Sequence, residues 1–204
     1  MTKTLLQSPA ILMLTTAAVV FGTAAYAQTQ PAKPAKPAAA KPAHAVAKKP
    51  AKPDPTEQAV LLGQFGDWGA YQASPGGKKV CFALAKPSKA ETEPVGRKRD
   101  QSYAFVSTRP SEKVKNEVSM IVGYPQKPSV DATATVGSAS YVMYTQNDGA
   151  WVKNAAEEAQ MVNDMRKGTD LVVKSMSAHG TKTTDTYALK GLEQALDKVA
   201  EECK

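Results

Sequence analysis

Two cysteines and two histidines among 204 residues leave little material for metal or nucleophilic chemistry. Structural zinc needs four ligands, and beyond residue 55 the only thiols and imidazole are Cys81, Cys203 and His179. The cysteines stand 122 positions apart with no C-x-x-C, which excludes a redox pair of that type. Nucleophilic triads need an imidazole in reach of the nucleophile; His44 lies in a proline-rich tract, and His179 lies in Ser-Ala-His-Gly-Thr, the ordinary content of a hairpin turn. There is no G-x-S-x-G, P-loop or H-E-x-x-H. Glu193, Asp197 and Glu201 repeat every four residues among Lys190, Gln194 and Lys198, as on a solvated helix face. The expectation is a protein without catalytic residues, cofactor or metal. No apolar run after residue 27 approaches the roughly 18 residues of a spanning helix, so no transmembrane segment is expected in the mature chain.

Charge is plentiful but badly distributed for nucleic-acid binding. The formal net charge is +7. Lys3 carries one positive charge, and residues 28–55 hold six lysines (33, 36, 41, 48, 49 and 52) against Asp54. The remaining 19 basic and 18 acidic side chains leave the rest of the chain close to neutral. A nucleic-acid footprint needs basic charge gathered on a folded face, so that partner class is excluded.

The first 27 residues read as an export signal. Lys3 opens them, Ala10 to Phe21 is apolar apart from Thr15 and Thr16, and Ala25-Tyr26-Ala27 places cleavage between Ala27 and Gln28. A 12-residue apolar core is short for an uncleaved anchor; no cysteine near the cut suggests a lipoprotein, and no Arg-Arg pair suggests the twin-arginine route. Residues 28–55 follow as a disordered Ala/Pro/Lys linker with seven of the fourteen prolines. At ~3.1 Å per residue this spacer reaches on the order of 85 Å. Its lysines offer a weak contact to an anionic surface, although such charge also serves merely to keep a tether extended.

Residues 56–204 are the folded domain. Short strand-like runs with turn signals between them are predicted at Asp67 to Ala73, Lys79 to Ala85, Tyr103 to Thr108, Glu117 to Gly123, Ala132 to Val136, Ser140 to Thr145, Ala150 to Lys153, Asp170 to Ala178 and Thr183 to Leu189. That spacing indicates an antiparallel sandwich or barrel. One helix follows the N-cap Asn154, with Glu157 completing a capping box, Ala155, Ala159, Val162 and Met165 or Arg166 on its face, and Gly168 ending it. A second runs from about Leu192 to Glu202, with Leu192, Ala195, Leu196, Val199 and Cys203 on one stripe. In the run Val80 to Ala85, large Val80, Phe82 and Leu84 alternate with small Cys81, Ala83 and Ala85. The large face suits the gap between two sheets and the small face admits a helix, which predicts a Cys81–Cys203 disulfide fastening the last helix.

Two segments are candidate contact surfaces. The connection from Lys86 to Gln101 reads as a long structureless loop whose Arg97, Lys98 and Arg99 either meet an anionic partner or form a solvated tip. The aromatics Trp68, Tyr71, Tyr141, Tyr144 and Trp151 occupy strand positions, where most are expected to be buried.

The motifs Phe65-Gly66-Asp67-Trp68, the strand with Cys81, Asp148-Gly149-Ala150-Trp151, the helix end from Met161 to Gly168, Leu171-Val172-Val173-Lys174 and Tyr187-Ala188-Leu189-Lys190-Gly191-Leu192 before Ala195-Leu196 occur in an order that resembles the invasion-associated locus B family of exported bacterial proteins. The resemblance implies a mainly β, antiparallel two-sheet immunoglobulin-like sandwich with two short helices. It also implies a non-enzymatic interaction module of the Gram-negative envelope, periplasmic or exposed at the cell surface or secreted, with an unidentified protein or envelope partner. The family name suggests a second reading, a surface-exposed adhesin or invasion factor. Many members carry a second cysteine pair in mid-domain; this chain does not.

Overall fold

The computed structural model describes residues 54–56 and 58–204. The signal segment, its Ala27/Gln28 cleavage site and the 28–55 linker as far as residue 53 lie outside the described residues. The last two residues assigned to that linker, Asp54 and Pro55, sit on the domain: Asp54 accepts from the Thr56 backbone N–H at 2.9 Å and from the Tyr103 hydroxyl at 3.3 Å.

Eleven strands form among the described residues: β1 (Val60–Phe65), β2 (Trp68–Ala73), β3 (Val80–Ala85), β4 (Lys89–Glu93), β5 (Tyr103–Arg109), β6 (Val114–Ile121), β7 (Ala132–Val136), β8 (Ala139–Gln146), β9 (Gly149–Val152), β10 (Asp170–Met176) and β11 (Lys182–Ala188). Helices α1 (Ala155–Lys167) and α2 (Leu192–Glu202) complete the set. The expected division into two sheets is not what the hydrogen bonds give. One antiparallel ladder links all eleven strands in the order β1-β2-β3-β5-β6-β9-β8-β7-β10-β11-β4.

That single sheet is strongly curled. β2 and β11 stand eight strands apart in the ladder, which in a flat sheet is about 38 Å at the ordinary ~4.8 Å spacing. Yet the Trp68 indole N–H donates to the Ala188 carbonyl at 2.9 Å, and the Asp67 N–H donates to Lys190 O at 3.3 Å. The ends therefore meet, and the concave side encloses one core. Alternate residues of every central strand enter it, among them Cys81, Ala83 and Ala85, Ala104 and Val106, Val118 and Met120, Ala134 and Val136, Leu171 and Val173, and Tyr187.

Two strands had been hidden in the sequence. β4 lies within the stretch read as a loop, and its Lys-Ala-Glu-Thr-Glu sequence has no apolar face because it pairs only with β11, as an edge. Charged side chains there blunt an edge that would otherwise recruit another strand. β1 is the opposite edge; Val60 and Leu61 are exposed, and a register shift between Leu61 and Gly63 breaks the alternation.

Helix α1 is capped as expected, with the Asn154 side chain accepting from Ala156 N–H at 3.0 Å. Its buried face differs: Met161, Val162 and Met165 are buried while Ala159 is exposed. Glu158 shares that stripe at i, i+3, i+4, i+7 spacing and accepts the Val118 N–H at 2.8 Å, so a carboxylate occupies a core-facing position and disguises the period. Burial raises the Glu158 pKa above the ordinary carboxylate value, opposed by that N–H.

Helix α2 buries Leu192, Ala195, Leu196 and Val199 against β1, β2 and β3, and Cys203 bonds to Cys81 with a Cα–Cα distance of 6.0 Å. Eleven residues are too few for a helix to persist alone in water. In the chain-entropy view the bridge contributes up to about 5 kcal/mol. Cys203→Ser is expected to expose the segment after Gly191 to protease before the sheet unfolds; limited proteolysis checks this, and an equally resistant C-terminus would show that packing alone holds α2.

Candidate functional site

The large face of β3 was expected to fill a gap between sheets. Instead it lies on the convex side. Phe82 and Leu84 join Tyr71, Tyr103, Phe105 and Ile121 in a separate apolar cluster, to which Ala59 is the only contribution from outside the strands among the described residues. Tyr71 stacks on Phe82 with centroids 5.4 Å apart, and Phe82 and Tyr103 flank Phe105 at 5.8 and 6.2 Å.

Register explains why this face is grooved. Leu84, Phe105, Ser119, Trp151 and Tyr144 form one row across β3, β5, β6, β9 and β8. Small Ser119 thus stands between two aromatics, Phe105 and Trp151, two strand spacings or about 10 Å apart. The resulting depression has a volume of about 410 Å³ and is lined also by Tyr103, Ser107, Ile121, Asp100 and Pro55. Trp151 is backed by Tyr144, stacked at 5.5 Å.

Charged groups close the groove at both ends. At one, the Arg109 guanidinium holds Glu117 through two bonds of 3.0 and 2.8 Å and Glu112 through a third of 2.7 Å. The bonds to Glu117 raise the Arg109 pKa against the effect of burial, and Glu112 adds to the rise. One cation faces two carboxylates there. At the other end Asp54 is tied to the Thr56 hydroxyl at 2.7 Å, to Tyr103 and, at 4.0 Å, to Lys86. The Thr56 hydroxyl and N–H hold the Asp54 pKa low against desolvation, with help from Tyr103 and Lys86. Tyr103 is raised by burial and then by Asp54.

The basic triplet is split by the fold. Arg97 and Lys98 are exposed, and with Tyr124 and His179 they border a shallow depression of about 200 Å³. Arg99 turns inward: it pairs with Asp185 through both guanidinium nitrogens, one bond measuring 2.7 Å, and donates to Val122 O at 3.0 Å. Their side chains are 10% and 2% exposed. Burial lowers the Arg99 pKa, but the Asp185 bond and charge outweigh it and the net shift is upward. The triplet therefore presents two exposed side chains, Arg97 and Lys98, while the third is paired inside the domain.

A larger depression of about 510 Å³ lies over β4, β7, β10 and β11, and its three carboxylates are each paired with a lysine, Glu93 with Lys182 at 3.3 Å, Glu91 with Lys89 at 3.0 Å and Asp131 with Lys153 at 2.7 Å. Of the five strand aromatics, Trp68 and Tyr141 are buried, Tyr71 and Trp151 half-buried, and Tyr144 exposed. The last three lie on the convex face, which position in a strand does not reveal when both faces are apolar. His179 is exposed in the turn between β10 and β11. Glu193 and Asp197 are more than a solvated face, since Arg166 of α1 reaches them at 3.9 and 3.1 Å. Among the described residues no group of three or more His, Cys, Asp or Glu is placed to hold a metal, and no helix is long and apolar enough to cross a membrane.

A family model described as Invasion associated locus B (IalB) protein matches residues 68–200, a span that includes Tyr103, Phe105, Ser119 and Trp151. No curated protein and no solved structure gave a match.

The burial of Arg99 and Asp185 generates a sharp contrast. Asp185→Ala leaves a cation in a low-dielectric site and is expected to cost about 3–5 kcal/mol, whereas Arg97→Ala and Lys98→Ala stay within about 0.5 kcal/mol. Urea denaturation of the three variants checks this; equal effects would refute the split of the triplet.

Proposed function

The chain belongs to the invasion-associated locus B family, and from that membership we propose that it is an exported, non-enzymatic interaction module of the bacterial envelope that contacts its partner through the convex aromatic groove. The observation that carries the reading is the row Phe105–Ser119–Trp151, where two half-buried aromatics flank a small polar floor with no other element of the described domain over it. Contiguous aromatic surface at the bottom of a groove, rimmed by fixed charges, is what protein recognition sites use, because rigid rings gain contact area at little entropic cost.

Export rests on the first 27 residues and on the disulfide, which persists in an oxidising compartment such as the periplasm. The non-enzymatic reading is supported by the placement of His179, which is exposed in a turn beside Arg97, Lys98 and Tyr124 and is not among the residues that line the groove. The immunoglobulin-like sandwich implied by the family is read here as the two halves of the curled sheet facing each other across one core.

The test is photo-cross-linking in intact cells from a photoreactive residue placed at Tyr144, beside Trp151, with the same probe at exposed Lys174 as the control. A groove that serves as a partner site gives a discrete adduct from position 144, lost when Phe105→Ser is added, from a protein released by osmotic shock whose N-terminus is Gln28. Adducts of equal yield from both positions, or a cytosolic protein retaining residues 1–27, would overturn the reading. Loss of the protein on external protease treatment of intact cells would move it to the cell surface.

A further inference from the structure

We propose that the depression bordered by Arg97, Lys98 and His179 is a binding site for a phosphate group, carried by a small soluble ester or by a lipid headgroup. It is a second site, and it stands whether or not the aromatic groove is a contact surface.

Unanswered charge is the first ground. Three of the chain's arginines hold carboxylates: Arg99 on Asp185, Arg109 on Glu117 and Arg166 on Asp197. Arg97 is the one arginine whose side chain has no carboxylate among the described residues, and its neighbour Lys98 has none there either. Both stand exposed at the rim of the same hollow of about 200 Å³. None of the residues lining it is acidic, and hydroxyl-bearing side chains supply most of the remainder. Of the acidic residues that flank the triplet, Glu93 pairs with Lys182 at 3.3 Å and Asp100 lines the aromatic groove. A concavity lined by cations and hydroxyl donors, with no carboxylate to satisfy them, suits a charged group that offers several acceptor oxygens.

The second ground is that the backbone around the hollow is fixed. The Arg97 N–H donates to Thr92 Oγ1 at 3.2 Å, which ties the segment after β4 back onto that strand. The turn that carries His179 is closed by three bonds, Ser177 N–H to Thr181 O at 2.8 Å, Gly180 N–H to Ser177 O at 2.8 Å and Thr181 N–H to Ser177 Oγ at 3.1 Å. Below them the Tyr124 hydroxyl is bonded to the hydroxyl of buried Thr183, and the Arg99 guanidinium lies 6.0 Å from the Tyr124 ring centroid with its charge matched by Asp185. Donors on three separate stretches of chain are thus gathered around one hollow before a ligand arrives, which lowers the ordering cost of binding. That arrangement favours phosphate over carboxylate. A planar carboxylate is satisfied by one guanidinium fork, whereas a tetrahedral phosphate presents oxygens in several directions, two for Arg97 and others for Lys98 and the hydroxyls.

The experiment is a titration of the isotope-labelled full-length exported chain with inorganic phosphate, followed by the backbone amide resonances and compared with sodium chloride at equal ionic strength. Saturable shifts are expected at the amides of Arg97, Lys98, Gly180 and Thr181 with phosphate and not with chloride. In the double variant Arg97→Ala, Lys98→Ala, both positions being exposed, the affinity is expected to fall about tenfold or more, as on losing one charge-assisted hydrogen bond, with Tm unaltered. Shifts reproduced by chloride, or equal in the parent and the double variant, would overturn the site. Cosedimentation with phosphatidylcholine vesicles containing phosphatidic acid separates the two sources, because the lysine-rich tract contributes equally to parent and variant. Less cosedimentation of the double variant than of the parent assigns the phosphate to a headgroup. Equal cosedimentation, with the phosphate shifts present in the parent, assigns it to a soluble ester.

Discussion

The architecture depends on one backbone-to-backbone contact, the meeting of the β1–β2 turn with the corner between β11 and α2. Gly66 has φ +56, and a Cβ there would stand 2.7 Å from Lys190 O; Gly191 has φ +92, and a Cβ there would collide with Phe65 O. Neither position tolerates a side chain, so the two chain segments touch main chain to main chain. The Trp68 indole then reaches Ala188 and closes the curl. Everything on the concave side becomes a single core because of this closure, and the aromatic row on the convex side is left outside it.

Two covalent or ionic fasteners hold what the closure brings together. The Cys81–Cys203 bond fixes α2 over the small-residue face of β3, and Arg99–Asp185 ties the segment after β4 to β11. The disulfide joins residues 122 positions apart and so limits the unfolded chain in the chain-entropy view, and removing one partner of the buried ion pair would leave the other charge uncompensated. Neither fastener belongs to the convex row in which Phe105 and Trp151 are half-buried.

Much of this was legible in the residues. The strands of the concave core announce themselves by alternation, as in Ala132 to Val136, and the α2 stripe ending at Cys203 converges with the small face at Cys81 on the observed bond. The rest was hidden for physical reasons. Edge strands β1 and β4 carry no obligatory apolar face, so Lys89–Glu93 reads as a loop. Glu158 on the inner stripe of α1 masks its period. Both faces of Val80–Ala85 are apolar, which sequence alone interprets as covering by a second sheet; no local pattern encodes that the sheet curls the other way and leaves Phe82 and Leu84 on its back. The groove was missed for a related reason, since it is a cross-strand row assembled from positions 105, 119 and 151, and only register places a serine between two aromatics.

The curled sheet fills its concave side with one core and carries a row of half-buried aromatics on its convex side. The claim on which this depends is the closure at the two glycines, and Gly191→Ala tests it most directly. The left-handed backbone and the collision with Phe65 O together predict a loss of at least about 2 kcal/mol in urea denaturation, with the Trp68 indole proton losing protection from hydrogen exchange ahead of the β5 and β6 amides. A variant as stable as the parent, with the Trp68 indole equally protected, would contradict the account.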